Sequence, residues 1–282
     1  MRLKAHAKIN WALNVLGRQA DGYHALEMLV QRLELADSLT FEKSGQISLV
    51  LSTAAEVPAE QNNLVIKAAA ALKDATGYAL GAKITLDKQI PVKAGLGGGS
   101  ADAAATLTGL NTLWDTGLSL GELSRIGARL GADVPLCLYP GLLKAKGIGE
   151  VITPVPGGRV FHLLILQPRQ GLSTAEVFLQ YDRSPDRQKV DIQEAQTALL
   201  NADLHLLRHT CHNQLQSSAV YLLSDVQTVL DRLKGSGAVF AQMSGSGSAV
   251  FGVFNSEDEA LQAKAKLLPE WPVCVYTRTL SE

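Results

Sequence analysis

Between Lys88 and Ala101 the chain reads KQIPVKAGLGGGSA, and four glycines occupy the five positions from Gly95 to Gly99. A strand-like apolar stretch at 82–87 precedes this run, and an alanine-rich, helix-forming stretch at 100–114 follows it. The chain must therefore turn from strand to helix through glycine. Glycine accepts positive φ and lets backbone N–H groups approach an anion closely. The first N–H groups of the helix have no partner within it and lie at the positive end of its dipole. Ser100 stands where it can cap that helix. The pattern predicts a phosphate-binding loop. A flexible linker is the alternative, but a linker seldom abuts a capped helix.

Around the loop the pattern is mixed. Residues 4–16, 25–35 and 47–51 read as strands, so the chain opens with β structure. Residues 63–76 read as a helix ending at Gly77. Ser119 and Glu122 have capping-box spacing for a helix to about residue 130, and 141–149 is weakly strand-like. The turn-rich PVPGG at 154–158 reads as a linker between residues 1–153 and 154–282, a division that suits 282 residues with 46% hydrophobic side chains. Beyond it, 160–167 reads as a strand. Helical segments run to 234, with a polar break at 181–189. Short strands at 238–242 and 249–254 flank MSGSGS, and a helix at 256–267 precedes a strand at 273–277. With strands before and after its helices, the second half is α+β.

Several function classes fall away. The net charge is −1 and no Lys/Arg-rich run occurs, so no nucleic-acid surface is expected. No apolar stretch approaches membrane-spanning length. The start, MRLKAHAKIN, lacks the apolar region of a signal peptide. Cys137, Cys211 and Cys274 are scattered, with no CxxC, as expected of reduced thiols in a cytoplasmic protein. The glycine run has no lysine before Ser100, so it is not a Walker loop. It lacks the third glycine of a dinucleotide fingerprint, and strands precede the first helix. His205 and His209 have the i, i+4 spacing of a helix face, with Cys211 and His212 nearby. Leu206 stands where a zincin has glutamate, so the cluster reads as structural. GADVP at 131–135 places Asp133 in a tight apolar turn, either as a cap or as a working acid. MSGSGS at 243–248, taken alone, reads as a plain hairpin.

Taken together, PVKAGLGGGSADAAA, Lys8-Ile9-Asn10, GADVP and MSGSGSAVFGVF resemble, in this order, the motifs of the GHMP kinases. RQADGYHALEMLVQ (18–31) and QNNLVIKAA (61–69) are similar to a branch of that family whose substrate carries cytidine diphosphate. The resemblance covers nearly the whole chain. It implies a two-domain α+β GHMP kinase fold, with a ribosomal S5 domain 2-like N-terminal domain and a ferredoxin-like C-terminal domain. It implies transfer of the terminal phosphoryl group of ATP to a hydroxyl, with Mg²⁺ recruited by the ATP phosphates. In the roles it implies, Asp133 takes the hydroxyl proton and Lys8 sits beside it, favouring the ionised carboxylate. Pro91, Val92, Lys93, Ala94, Gly95, Leu96, Gly97, Gly98, Gly99, Ser100 and Ala101, with Asn63, would hold ATP. Asn10, Tyr23, His24, Thr174 and Phe178 would hold the substrate, with Tyr23 and His24 on a cytosine and Phe178 on its other face. From the residues alone, Lys8 reads as a solvated strand lysine, Tyr23 as half-buried and His24 as a surface histidine.

The departures are local. Leu142 and Leu143 stand where smaller residues are usual, Pro140 precedes them, and Lys93 replaces a small residue. Two other readings stay open: a non-catalytic nucleotide- or RNA-binding module, and a sister kinase for mevalonate or homoserine, substrates with no base for Tyr23 and His24 to stack on. The expected partner is a small molecule, with no nucleic acid and no membrane. Monomer and homodimer are both open, and no Mg²⁺ ligand is named.

Overall fold

The computed structural model describes residues 1–20, 22–52, 62–186 and 188–282. They form two compact units, each assembled from separated stretches of chain. One comprises Met1–Ala7, Leu35–Val92 and Gly97–Tyr139; the other comprises Lys8–Glu34, Lys93–Leu96 and Pro140–Glu282. Strands β1 (Arg2–Arg18) and β2 (His24–Ser44) each contribute to both units, and so does the glycine run.

In the first unit the second half of β2 pairs antiparallel with β4 (Gly81–Asp87), and β3 (Ser48–Leu51) runs parallel to β4. Leu39 and Phe41 on β2, and Ala82, Ile84 and Leu86 on β4, alternate inward with period two. They meet α1 (Leu64–Thr76) and α2 (Gly98–Leu113) in one core, with α3 (Leu120–Ala128) and α4 (Val134–Leu138) packed on α2. Asn63 Oδ1 accepts from Val65 N at 2.9 Å to open α1, and Gly77, at φ 68°, closes it. Ser119 and Glu122 form the expected reciprocal capping box of α3.

Helix α2 starts two residues earlier than its sequence suggests. Gly97, at φ 71°, is the cap, and Ala101 N donates to Gly97 O at 2.8 Å. Ser100 lies inside the first turn and does not cap it. A left-handed glycine already turns the chain into the helix, so the serine is not needed for that. The five-residue α4 begins right after Asp133, where a cap was one of the two readings, with Pro135 in its first turn.

In the second unit the first half of β2 pairs with β5 (Leu142–Gly147), which pairs with β6 (Val151–Val155). Pro154 lies opposite Leu143 on this edge strand, where a missing N–H costs little. Residues 154 and 155, read as linker, are therefore the end of a strand. A second antiparallel sheet has the order β10-β7-β9-β8, from β7 (His162–Gln167), β8 (Phe240–Met243), β9 (Val250–Phe254) and β10 (Val273–Arg278). Between β7 and β8 come α5 (Thr174–Arg183), α6 (Ile192–Asn201), α7 (Leu204–Thr210), α8 (Gln216–Leu222) and α9 (Asp225–Gly235). The break read at 181–189 begins only at Ser184, because Tyr181 is a buried residue of α5. Helices α9 and α10 (Glu257–Leu267) pack on this sheet. Trp11 of β1 is fully buried, edge-on to Phe161 and Phe251 at 5.0 and 5.4 Å, and its Nε1 donates to Gln31 Oε1 at 2.8 Å. Among the described residues no helix is long and apolar enough to cross a membrane.

The α2–sheet contact has no spare volume. A Cβ on Gly109 would lie 2.6 Å from Phe41 Cε2. Gly109→Ala gains about 1 kcal/mol of helix propensity, but overpacking costs about 1–3 kcal/mol. A net loss of stability in urea denaturation is the expected result.

Candidate active site

The Ala94–Leu96 side of the glycine run is held within the second unit. Gly95, at φ 75°, is so close to the 244–248 turn that a Cβ would sit 2.2 Å from Ser244 O and 2.9 Å from Gly247 N. Ser244 Oγ donates to Gly95 O at 3.1 Å, Ala249 N donates to Ala94 O at 3.1 Å, and Lys8 N donates to Leu96 O at 2.9 Å. The loop is thus clasped between β1 and the second glycine-rich turn. That turn is more than the plain hairpin it looked like alone, because its backbone and Ser244 hydroxyl position the first loop.

Lys8 and Asn10 are brought together and buried. Lys8 Nζ donates to Asn10 Oδ1 at 2.7 Å and lies 3.3 Å from the point where a Gly245 Cβ would be. The Lys8 side chain is therefore not the solvated strand lysine that its residue type alone suggests. Gln242 Nε2 donates to Asn10 O at 3.0 Å, and Asn213 Nδ2 bridges Met243 O and Gly245 O at 2.9 and 2.8 Å. Thr174 Oγ1 and Ser246 Oγ are 2.8 Å apart. Lys93, exposed at φ 53°, packs its Cβ against Gly171. Ser244 and Asn213 escaped the sequence reading. Ser244 lay inside a quoted motif, but nothing in a sequence tells which turn a loop will touch.

On the first unit, Gly97, Gly98, Gly99 and Ser100 open α2 with no side-chain cap. Gly99 is exposed, Gly98 and Ser100 are half-buried, and Ala101 is buried. The N–H groups of this first turn have no i−4 carbonyl to bond within the helix. Pro91 is half-buried and Val92 exposed, while Asn63 is buried as the cap of α1. Asp133 is half-buried at the head of α4, and its side chain does not cap that helix. A feature missed in the sequence lies under α2. Lys88 Nζ donates to Asp37 Oδ2 at 2.5 Å and to Asp102 Oδ2 at 2.9 Å. Burial works against the Lys88 ammonium, but Asp102 and Asp37 outweigh it and hold its pKa above the ordinary value.

Back on the second unit, Tyr23 is 61% exposed. The His24 ring stacks on Phe178 at 4.7 Å and 19°, and His24 Nε2 bonds Asp182 Oδ1 at 2.7 Å. Arg18 Nη1 stands 3.7 Å from the other Asp182 oxygen. Phe178 therefore packs on the histidine, and His24 is a mostly buried, tethered ring rather than a surface histidine. Asp21 lies outside the described residues.

The remaining candidates are structural. The His205 and His209 rings lie 5.4 Å apart and tilted, and His212 Nε2 bonds Asp186 at 2.8 Å. Burial pushes the Cys211 thiol up to about 12, which makes it inert. Leu142 and Leu143 are core residues of β5. Among the described residues no group of three or more His, Cys, Asp or Glu side chains is arranged to hold a metal.

Comparison with known proteins accords with this geometry. The GHMP kinases N terminal domain family matches residues 63–141, and the GHMP kinases C terminal family matches residues 192–273. The 4-diphosphocytidyl-2-C-methyl-D-erythritol kinase of Moorella thermoacetica is 40% identical, with 99% of each chain covered. That of Alkaliphilus metalliredigens is 38% identical over 95% of this chain and 92% of its own. A crystal structure of 4-(cytidine 5'-diphospho)-2C-methyl-D-erythritol kinase superposes over the whole of both chains, with TM-score 0.86 and 30% identity. The mevalonate kinase of L. major, at 16% identity and TM-score 0.74, shares the fold. The chain belongs to the GHMP kinase family, as the glycine run, the Lys8 strand and the 243–254 turn suggested from sequence.

Proposed function

We propose that this protein transfers the terminal phosphoryl group of ATP to the 2-hydroxyl of 4-diphosphocytidyl-2-C-methyl-D-erythritol, in the non-mevalonate route to isoprenoid precursors. The observation that carries the reading is likeness, over more than nine tenths of each chain, to relatives that bear that kinase's name. The local chemistry supports it. Phosphoryl transfer needs in-line positioning and neutralised charge more than covalent help from the protein. The opening amides of α2, with the loop from Pro91 to Ala101, supply donors for the ATP phosphates. Mg²⁺ keeps several waters and suits a site in which phosphate oxygens are its main ligands, so it would enter on ATP and neutralise developing charge there. Asp133 accepts the hydroxyl proton and Lys8 supplies positive charge. Tyr23, which is largely exposed, would stack on the cytosine, beside the His24–Phe178 pair. The site is expected to work in the cytoplasm.

Incubation with ATP and 4-diphosphocytidyl-2-C-methyl-D-erythritol, followed by phosphorus NMR, is expected to give a new phosphomonoester. Mevalonate and homoserine are expected to give essentially none. Faster turnover of mevalonate would overturn the cytidine reading.

Single substitutions separate the roles. Asp133→Asn is expected to lower kcat about 10²-fold or more with little change in ATP affinity; near-normal kcat would remove Asp133 as the base. At Gly98 a Cβ would lie 3.0 Å from Ile90 Cγ2 and 3.4 Å from Lys88 Nζ. Gly98→Val should thus displace the helix start and weaken ATP binding in calorimetry. Stacking on a base is worth about 1–3 kcal/mol, so Tyr23→Ala is expected to raise KM for the acceptor by roughly fivefold to a hundredfold. The KM for ATP should stay nearly unchanged.

A further inference from the structure

The proposed reaction leaves one buried charged cluster unused. Asp37 and Asp102 flank Lys88 beneath the start of α2, and their side chains are 0% and 5% exposed. Asp37 is well served as an anion, since its Oδ1 also accepts from the backbone N–H groups of Gln89 and Ile90 at 2.5 and 2.8 Å. Asp102 is not. Among the described residues its buried Oδ1 has no hydrogen-bond partner. Two buried carboxylates share one ammonium here, and burial makes the second negative charge costly.

Burial raises the Asp102 carboxyl most strongly, Lys88 opposes the shift, and Asp37 adds to it, leaving Asp102 at about 7. A protonated Asp102 makes the cluster neutral and can share its proton with Asp37. On the sheet side Arg2, Lys4 and Asp87 line one pocket with Asp37, while the helices packed on α2 turn apolar side chains toward it. α1 turns Val65, Ala68, Ala69 and Leu72 inward, and α3 turns Leu123 and Ile126 inward. α4 brings the buried thiol of Cys137 and carries Asp133 at its head, and the shift of Asp102 is set by burial, Lys88 and Asp37. α2 carries no second ionisable side chain. Lys88 Nζ lies 3.4 Å from the point a Gly98 Cβ would take, so the cluster lies directly under the first turn of the helix.

We propose that Asp102 is a proton-linked positioning residue: phosphates bound at the start of α2 drive it to its protonated form, and its ionised form opposes their binding. This rests on the reading of the glycine run as the nucleotide site. Two like charges close together in a poorly screened interior disfavour each other. Linkage is reciprocal, so a nucleotide that favours protonated Asp102 binds more tightly once Asp102 carries its proton. Below the Asp102 pKa the proton is already present and affinity is flat on its account. As pH rises above that pKa, affinity falls by up to about tenfold per pH unit.

The test is calorimetry of ADP binding in buffers of different ionisation enthalpy, with wild type and Asp102→Asn compared across pH. The difference between the two proteins cancels protons exchanged by ADP itself. Wild type is expected to take up as much as one proton more than the variant, and only wild type is expected to show the extra fall in affinity at alkaline pH. Equal proton exchange and parallel pH profiles would overturn the inference while leaving the nucleotide site intact. ADP binding by neither protein would overturn both readings. If the variant does not fold, infrared spectroscopy of aspartate-labelled wild type decides. The band of a protonated buried carboxyl should grow when ADP is added near neutral pH, and an unchanged band would refute the proposal.

Discussion

Gly95 has no room for a side chain. Its α-carbon faces the carbonyl of Ser244 so closely that a methyl group would overlap it, and its φ of 75° disfavours other residues as well. That contact sets the path of the loop. Ala94, Gly95 and Leu96 are each tied by a hydrogen bond, to Ala249, Ser244 and Lys8 in turn. One close backbone approach thus explains why a strand near the N-terminus and a turn near residue 245 carry motifs that accompany the loop. Lys8, Asn10 and the MSGSGS turn form one packed group, and Lys8, Asn10, Met243 and Ser244 are buried because they line the loop's bed.

On the other side of the run the constraint is electrostatic. Asp37 accepts the two backbone N–H groups that follow Lys88, and Lys88 reaches Asp102 inside α2. The segment leading into the loop and the helix leaving it are therefore tied to the same β2 residue. The start of α2 keeps its own amides free of side-chain caps, because the turn is made by Gly97 alone. A helix start that is fixed in place yet uncapped suits an anionic ligand, which pays no cost to displace a capping side chain.

Much of this was legible in the sequence. The opening strands, α1 with its Gly77 stop, the α3 capping box and the paired strands around MSGSGS follow from period, caps and turns. These are local signals, and the structure bears them out. What escaped depended on distance in the chain. β6 was hidden because Pro154 reads as a breaker, and only its place on a sheet edge makes proline tolerable there. Ser100 was read as a cap because the left-handed turn at Gly97 is a backbone property that glycine permits without announcing. Lys88 and Asp37 are 51 residues apart, and nothing near either one signals an ion pair. The His24–Phe178–Asp182 group spans 158 residues, so the sequence suggested His24 and Phe178 but not that they would stack on each other.

The central claim is that nucleotide phosphates bind at the backbone of the glycine run. Amide chemical shifts of Gly97, Gly98, Gly99 and Ser100, followed by NMR as an unhydrolysable ATP analogue is added, address it without relying on turnover. Large, saturable shifts concentrated on these four amides are the predicted result. Saturable binding that leaves them unmoved while amides elsewhere shift would contradict it.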